Sequence, residues 1–417
     1  MFTKWEWLLS KLSRTLWIRA LLIGLFGILV ALIAIPIQST LPIVSPLEVG
    51  ARSVEGILQI LATSMLTVTT FSLGAMVSAY NSASTGITPR AIKLVKQEPV
   101  TQNVLSSFIG AFLFSLVGIV ALSSELYTES GRFILFVATL LVILLVIVAL
   151  LRWIEHLSDL GRLSNTMDLV TDAARLALCE YARHPGWGCS PLSRNQPPPE
   201  SANTIRFNQT GYIQHIDVNA VAELADSCNT EIGLLVSPGT LIQPQRPVAW
   251  YQGPRDNKLE QDIEAQFTLA TDRSFDQDPR FGLAVLTEVA LRALSPSVND
   301  PGTAIDVIHR HLGLLLTFSQ QQNAGEKAEI LYRNLHSVPL SISDMFEDAF
   351  EPIARDGAGL LEVQIRLQKV LKILADNDPA LYAKEAKAIS NLAMDYVERS
   401  NMAELEKERL RRIADSI

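Results

Sequence analysis

The segment Phe133 to Leu151, FILFVATLLVILLVIVALL, decides the fold class, because it carries no charge over its whole length. A helix of about 20 apolar residues crosses the roughly 30 Å hydrocarbon layer of a bilayer. Three further uncharged runs, residues 20–47, 56–89 and 99–124, are also long enough. The sequence therefore predicts four transmembrane helices, at about 20–38, 58–81, 104–123 and 133–152.

The basic residues that flank these runs predict the orientation. Eight of them fall on one side of the predicted spans, and only Arg52 and Arg132 fall in the other two loops. The eight are Lys4, Lys11, Arg14, Arg19, Arg90, Lys93, Lys96 and Arg152. Because cytoplasmic loops carry the excess of lysine and arginine, we expect a multi-pass inner-membrane protein with both termini in the cytoplasm. Residues 1–18 are predicted to lie on the membrane as an interfacial amphipathic segment.

Composition excludes several classes of protein. Residues 1–152, which include the predicted transmembrane domain at 19–152, hold 10 basic and 6 acidic side chains. Residues 153–417 hold 25 basic and 37 acidic side chains, a net charge of −12. An acidic cytoplasmic part is a poor nucleic-acid binder. The three cysteines form no C-x-x-C pair, and His309 and His311 are two residues apart, so we predict no metal site. P-loop, G-x-S-x-G and H-E-x-x-H motifs are absent, and we assign no cofactor and no catalytic residue.

The cytoplasmic part is predicted to be α+β. Residues 153–200 read as a helix and a Pro-rich linker, 201–253 as a small β subdomain and 254–417 as a helical domain. The helices are predicted at 259–270, 279–295, 301–318, 325–336, 341–354, 356–375 and 378–415. In the β subdomain we expect strands in TIRFNQTGYIQHIDV, EIGLLV and PVAWYQ, and a helix capped by Asp217. VSPGTLIQPQRPVAW resembles the small barrel of biotinyl or lipoyl domains, but no lysine for modification occurs between residues 203 and 257.

Two Asp-Pro pairs lie in the helical domain, in QDPRFGLAVLTEVALRAL and in LSPSVNDPGTA. Each pair is typical of a helix start, because the Asp side chain accepts from first-turn N–H groups and Pro fits the first helical position. The alternative is a polar junction pocket, since exposed helix N-termini bind anions. Its candidate residues are Arg273, Asp276, Gln277, Asp278, Arg292, Ser295, Asn299, Asp300 and Thr303.

The chain resembles a bacterial family of predicted membrane proteins. The resemblance lies in three features in chain order: four predicted spans, a GYIQHIDV…VSPG segment and the motif QDPRFGLAVLTEVALRALSPSVNDPGTA. That family is catalogued as a domain of unknown function (DUF2254). The resemblance covers nearly the whole chain and implies a topology, with no activity or catalytic residue to carry over.

The second span carries a polar stripe of small and hydroxyl residues on one helical face, at spacings of three and four. The polar stripe consists of Thr63, Thr67, Thr70, Gly74, Ser78 and Asn81. Small and hydroxyl residues let transmembrane helices pack closely. They also suit an ion path, which in a four-helix chain requires a homo-oligomer with this span at its axis. Arg90, Lys93 and Lys96 would then lie near an inner mouth.

Three functions follow from these features. The first is an oligomeric channel-like or transport protein that passes a small ion and has a cytoplasmic domain for assembly and gating. The second is a non-conducting membrane-anchored scaffold, or a sensor whose junction pocket binds a ligand. The third is an enzyme at the membrane surface. Conduction in planar bilayers separates the first from the second, and the effect of substitutions at Asp278 or Asp300 on activity separates the third.

Overall fold

A computed structural model describes residues 3–13, 15–40, 50–86, 88–124, 126–159, 161–193, 197–324 and 330–417. The chain divides into two compact units. The apolar unit is Trp7–Thr166, and the mixed unit combines Met1–Glu6 with Met167–Ile417. Each unit has its own buried core and is described separately.

The apolar unit consists of helices. They are α1 (Lys4–Ser13, whose first residues belong to the mixed unit), α2 (Leu16–Thr40), α3 (Ala51–Gly86), α4 (Ile92–Lys96), α5 (Pro99–Ser123) and α6 (Glu129–Asp159). Within the described residues, three segments are long and apolar enough to cross a membrane: Ala51–Asn81, Ile92–Ser123 and Glu129–Leu157. The prediction of a fourth span is not confirmed. The apolar part of α2, Trp17–Ile33, would extend about 26 Å, less than the roughly 30 Å of hydrocarbon.

Helix α5 is the centre of the apolar unit and packs against α2, α3 and α6. Glycines bring α2 and α5 close together: a Cβ added to Gly27 would lie 2.7 Å from the carbonyl oxygen of Gly110. Small residues at a crossing give this kind of close helix packing. Phe108 and Phe114 of α5 are fully buried, and Leu58 of α3 and Leu135 of α6 pack in the same core cluster as Phe114.

The mixed unit combines short strands with helices. Its strands are β1 (Cys189–Pro191), β2 (Asn203–Ile205), β3 (Gly211–Ile216), β4 (Ile232–Leu234), β5 (Leu241–Ile242), β6 (Ala249–Tyr251), β7 (Phe267–Ala270) and β8 (Tyr332–Ser337). Its helices are α7 (Leu163–Arg183, which begins at the end of the apolar unit), α8 (Val218–Ser227), α9 (Asn257–Glu264), α10 (Phe281–Leu294), α11 (Pro301–Ala324), α12 (Ile342–Asp356), α13 (Leu361–Asn377), α14 (Pro379–Glu398) and α15 (Glu404–Ala414).

The strands form two sheets and no closed barrel among the described residues, which corrects the barrel prediction. The larger sheet has the order β1-β8-β4-β6-β2, with β8 parallel to both of its neighbours. The smaller sheet has the order β5-β3-β7 and is antiparallel. The barrel prediction fails because β4 pairs on one side with β8, a strand from far along the chain.

Local signals located most elements of the mixed unit correctly. Strands β2, β3, β4 and β6 lie in the predicted stretches, and Asp217 caps α8 by accepting from the N–H of Ala220 at 3.1 Å. The helix prediction for 259–270 is wrong at its end, where β7 pairs with β3. The prediction for 325–336 is wrong over β8, and residues 325–329 lie outside the described residues. The predicted 378–415 helix is interrupted between α14 and α15.

Helix α10 is the most deeply buried element near the site described below. It forms a hairpin with α11 and packs on α12. Its glycine lies against α7, since a Cβ on Gly282 would lie 2.3 Å from that of Ala174. Leu283, Leu286 and Phe350 of this core are fully buried. The start of α10 is therefore fixed by packing on several sides.

Candidate functional site

Asp278 lies three positions before the first residue of α10, and its side chain is only 2% exposed. Arg273 holds it with a two-pronged contact: Nε donates to Oδ2 at 2.7 Å and Nη2 to Oδ1 at 3.0 Å. Oδ1 also accepts from the backbone N–H groups of Arg280 and Phe281. Burial raises the pKa of the Asp278 carboxyl, and the Arg273 guanidinium opposes that rise. The carboxylate thus combines an ion pair with the hydrogen bonds of a helix start.

A tight turn of the β region lies against this carboxylate. Gly239 has φ +88°, in the left-handed region that favours glycine, and a Cβ added there would lie 1.9 Å from Oδ2 of Asp278. Its N–H donates to the carbonyl of Ile213 in β3 at 2.8 Å, and Thr240 N–H donates to the carbonyl of Ser237 at 3.1 Å. The VSPG and QDPR motifs of the sequence therefore meet in space.

Arg280 connects the start of α10 with α12. Its Nη1 donates to Asp344 at 2.5 Å and its Nε to Asp348 at 2.6 Å. The two aspartates lie four residues apart on α12, so they occupy neighbouring positions on one face. Ser341 caps this helix by accepting from the N–H of Asp344 at 3.1 Å. The fork of Arg280 thus fixes the first turns of α12 against the start of α10.

A cavity of about 540 Å³ lies among these groups, and we call it the arginine cavity. Besides Arg273 and Arg280, a third guanidinium lines it, that of the exposed Arg246, in the turn before β6. The other lining residues include Tyr181, Trp187, Ser237, Pro238, Gly239, Thr240, Asp278, Pro279, Leu340, Ser341 and Asp344. Four separate segments of the mixed unit therefore converge on one polar concavity.

The predicted junction residues divide between two places. Arg273 and Asp278 line the cavity, and Gln277 does not. Gln277 instead clips the backbone of β3: its Oε1 accepts from Ile216 N–H at 2.8 Å, and its Nε2 donates to the Ile216 carbonyl at 3.1 Å. Asp276 is exposed and accepts from the hydroxyl of Ser274.

The remaining junction residues lie at the other end of α10, about 20 Å away along a 14-residue helix. Asp300 accepts from the N–H of Thr303 at 3.1 Å and from its hydroxyl at 2.6 Å. Ser295 Oγ donates to the carbonyl of Arg292, and Asn299 adopts φ +49°. Hydrogen bonding to Thr303 lowers the pKa of Asp300. This end of the hairpin is exposed and contributes nothing to the arginine cavity.

Every position of the polar stripe on α3 is exposed. The buried positions of α3 include Leu58, Leu61, Met65, Ser72 and Met76. At about 100° per residue, their face is centred roughly 180° from the stripe. A Cβ added to Gly74 would meet no atom within 4 Å. The stripe therefore faces away from the described helices that pack against α3 in the apolar unit.

The stripe threonines bond within their own helix. The hydroxyls of Thr63, Thr67 and Thr70 donate to the carbonyls of Gln59, Thr63 and Leu66, four residues back, at 2.8–2.9 Å. Apolar side chains border the stripe, such as Leu66 and Phe71, which are 54% and 68% exposed. This face of α3 thus carries a narrow line of polar residues, bordered by exposed apolar side chains that suit contact with lipid.

The predicted inner-mouth residues lie at and just before α4. Arg90, Lys93 and Lys96 are all exposed. Lys96 Nζ lies 5.9 Å from the ring centroid of Tyr80 near the end of the α3 span, within the range of a cation–π contact. The three cations therefore follow the stripe directly along the chain.

Comparison with known proteins agrees with this picture of apolar helices. Residues 13–373 match the family described as "Predicted membrane protein (DUF2254)". The chain belongs to this family. It is 25% identical over 327 residues to uncharacterized proteins of Mycobacterium bovis and of two Mycobacterium tuberculosis strains. The match covers 74% of the chain and 61% of each relative, so the chain spans about three fifths of these relatives' length. No solved structure matches it.

Membership of the DUF2254 family confirms the resemblance seen in the sequence. The family description states a membrane protein and names no reaction, substrate or ion. Any more detailed function therefore has to be argued from the geometry of this chain.

The described residues hold no cluster of three His, Cys, Asp or Glu side chains able to bind a metal. His309 is exposed and His311 is buried, so the two rings point in different directions. Nε2 of His311 lies 3.0 Å from the hydroxyl of Thr287, and burial lowers the pKa of His311 to about 3. His311 is thus a neutral core side chain at pH 7.

Sequence reasoning missed Arg246, Arg280, Asp344 and the aromatic pair of Tyr181 and Trp187. One local signal was present: Trp187 stands between glycines in PGWG, and residues 186–188 all have positive φ. The Tyr181 hydroxyl accepts from the N–H groups of Gly186 and Leu340 and holds this turn in place. No sequence spacing indicates that Arg246 and Asp344, about 100 residues apart, line one cavity.

Proposed function

We propose that the chain is an oligomeric, channel-like transport protein of the bacterial inner membrane. In this proposal α3 lies nearest to the symmetry axis, and the polar stripe lines a path for a small ion. The apolar segment of α2 serves as a fourth span, so both termini lie in the cytoplasm. The mixed unit drives assembly and gates the path.

The direction of the stripe carries this proposal. Because the stripe faces away from the helices that pack against α3, it is free to face lipid, water or another copy of the chain. Asn81 and the hydroxyls favour protein or water over lipid. The open space around Gly74 leaves room for close approach of a second copy. Arg90, Lys93 and Lys96 then lie at the inner mouth.

Cysteine scanning in planar bilayers tests the proposal. In a Cys228→Ser background, Thr67→Cys should react with a small aqueous thiol reagent and the reaction should block conductance. Leu66→Cys is the matched control, since it neighbours Thr67 and is exposed on the apolar flank; it should not change conductance on treatment. Thr67→Val keeps the side-chain shape and should alter conductance while the oligomer persists.

The opposite pattern contradicts conduction. If the stripe is a dry contact between copies, Thr67→Cys stays unreactive and Thr67→Val has almost no effect. Gly74→Leu then breaks the oligomer, because a bulky side chain separates the helices. Absence of any conductance from the purified wild-type oligomer points the same way.

The second candidate function is a membrane-anchored scaffold or ligand sensor, and the arginine cavity favours it. The intrahelical bonds of the stripe threonines also suit a dry interface between copies, because each hydroxyl already has an acceptor. In this case, purified protein forms a stable oligomer and does not conduct.

A further inference from the structure

We propose that the arginine cavity binds the phosphoryl group of a small organic phosphate. The site goes beyond the proposed conduction, and it supplies a ligand class for the second candidate function. It lies wholly within the mixed unit, so a failure of conduction leaves it intact.

The guanidinium groups have donors available for a ligand. An arginine carries five N–H groups. Arg273 donates two of its groups to Asp278, and Arg280 donates one to Asp344 and one to Asp348. Each therefore keeps three N–H groups for a further acceptor. The Arg246 side chain forms no hydrogen bond or ion pair in the part of the chain that the structure describes.

The carboxylates hold two of the three arginines of the cavity in place. Asp278 orients Arg273, and the α12 aspartates orient Arg280, so less freedom is lost when a ligand binds. The lining carries three guanidinium groups against the carboxylates of Asp278 and Asp344. Counting Asp348, which also pairs with Arg280, three carboxylates balance three guanidinium groups, and Arg246 is the cavity arginine that pairs with no carboxylate among the described residues.

The number and origin of the donors favour a phosphoryl group over a carboxylate. The three arginines come from three different segments of the chain, and a phosphoryl group offers three acceptor oxygens, whereas a carboxylate offers two. Ser341 and Asp344 at the start of α12 line the same side of the cavity as Arg280. A tetrahedral oxyanion therefore suits three arginines better than a planar carboxylate does.

The size of the cavity requires more than inorganic phosphate. Its volume of about 540 Å³ lies within the range typical of sites for small organic ligands. Tyr181 and Trp187 also line it, with their rings edge to face at 5.1 Å between centroids. An organic group attached to the phosphate would pack against these rings.

Isothermal titration of the purified full-length protein in detergent tests the proposal with three probes: inorganic phosphate, phenyl phosphate and benzoate. Phenyl phosphate should bind at least about tenfold more tightly than benzoate, as expected from its additional charge-assisted hydrogen bonds. Inorganic phosphate should bind more weakly than phenyl phosphate because it lacks the aromatic group.

Arg246→Gln should weaken phenyl phosphate binding by about tenfold or more. The exposed Arg246 pairs with no carboxylate in the described residues, so the Arg246→Gln variant should unfold at the same temperature as the wild type. Arg409→Gln removes an exposed arginine outside the cavity and should bind as the wild type does. Three results overturn the proposal: no binding of phenyl phosphate at millimolar concentration, equal binding by Arg246→Gln, or benzoate binding as tightly as phenyl phosphate.

Discussion

Gly239 and Asp278 are in direct contact: the turn of the β region leaves no room for a side chain above the buried carboxylate. They are 39 positions apart in the sequence, and the fold brings them together at the wall of the arginine cavity. The contact couples the position of the VSPG turn to the ion pair between Arg273 and Asp278. A substitution at Gly239 or at Asp278 therefore affects both the turn and the ion pair.

Gly239→Ala should destabilise the protein by more than about 2 kcal/mol. It combines a left-handed φ with an overpacked Cβ, and each effect costs about 1–3 kcal/mol. Gly253→Ala separates the two effects, because Gly253 has φ +110° and open space around a Cβ; it should cost only the backbone part. Urea unfolding in detergent, followed by tryptophan fluorescence, measures both. Equal losses in the two variants would refute the steric contact.

Arg273→Gln should destabilise the protein by about 3–5 kcal/mol at pH 7, because it leaves the Asp278 carboxylate buried and unpaired. The loss should shrink as the pH falls. Burial raises the pKa of Asp278 above its value in the unfolded chain, so protonation favours the folded state, and this stabilisation disappears as pH rises through the folded pKa. Unfolding curves measured between about pH 4 and about pH 8 give the slope of the free energy of unfolding against pH. The double variant Arg273→Gln/Asp278→Asn should recover part of the loss and lose the pH dependence.

Asp300→Ala should cost about 0.5–2 kcal/mol, as the loss of a helix cap does, and Asp300→Ser should restore most of it. The hydrogen bonds from Thr303 lower the pKa of Asp300, so its stabilisation is present above the unfolded pKa and is lost as pH falls through the folded pKa. The difference in free energy of unfolding between the wild type and Asp300→Ala should therefore become smaller at acidic pH. A variant that keeps full stability yet loses function would show that this exposed junction is a site.

Cysteine labelling in intact cells checks the topology. Single cysteines near Arg52 or Tyr127, placed at the exposed Arg52 or Glu129, should react with an impermeant thiol reagent, because the basic flanks predict that both loops face the periplasm. Native Cys228 is exposed in the mixed unit and should react only after the membrane is opened. Burial raises the pKa of Cys189 to about 12, so this thiol contributes no background. Labelling of Cys228 in intact cells would place the mixed unit outside.

The sequence predicted those features that depend only on residues close together in the chain. The caps at Asp217 and Asp300 need only the next three residues, and the polar stripe needs only the helical repeat. The helix and strand errors at 267–270 and 332–337 have another cause. Those residues are strands because β3, β1 and β4 supply their hydrogen-bond partners, and these partners are remote in sequence.

The arginine cavity could be predicted only in part, for the same reason. Arg273 and Asp278 are five residues apart and suggested a polar cluster. Arg246 and Asp344 join them only through the packing of the β region on α10 and α12. The hairpin geometry of α10 and α11, in turn, separated the two Asp-Pro pairs that the sequence had grouped together.

The position of β8 in the larger sheet has a consequence for biosynthesis. It lies between β1 and β4 and is parallel to both, yet it leaves the ribosome more than 90 residues after β4. Until it arrives, β1 has no neighbour in the sheet and one edge of β4 is unpaired. Such long-range pairing is slow to form, and unpaired strand edges invite aggregation. The nascent chain therefore carries an open sheet edge during the synthesis of about 100 residues, after its apolar helices have already been made.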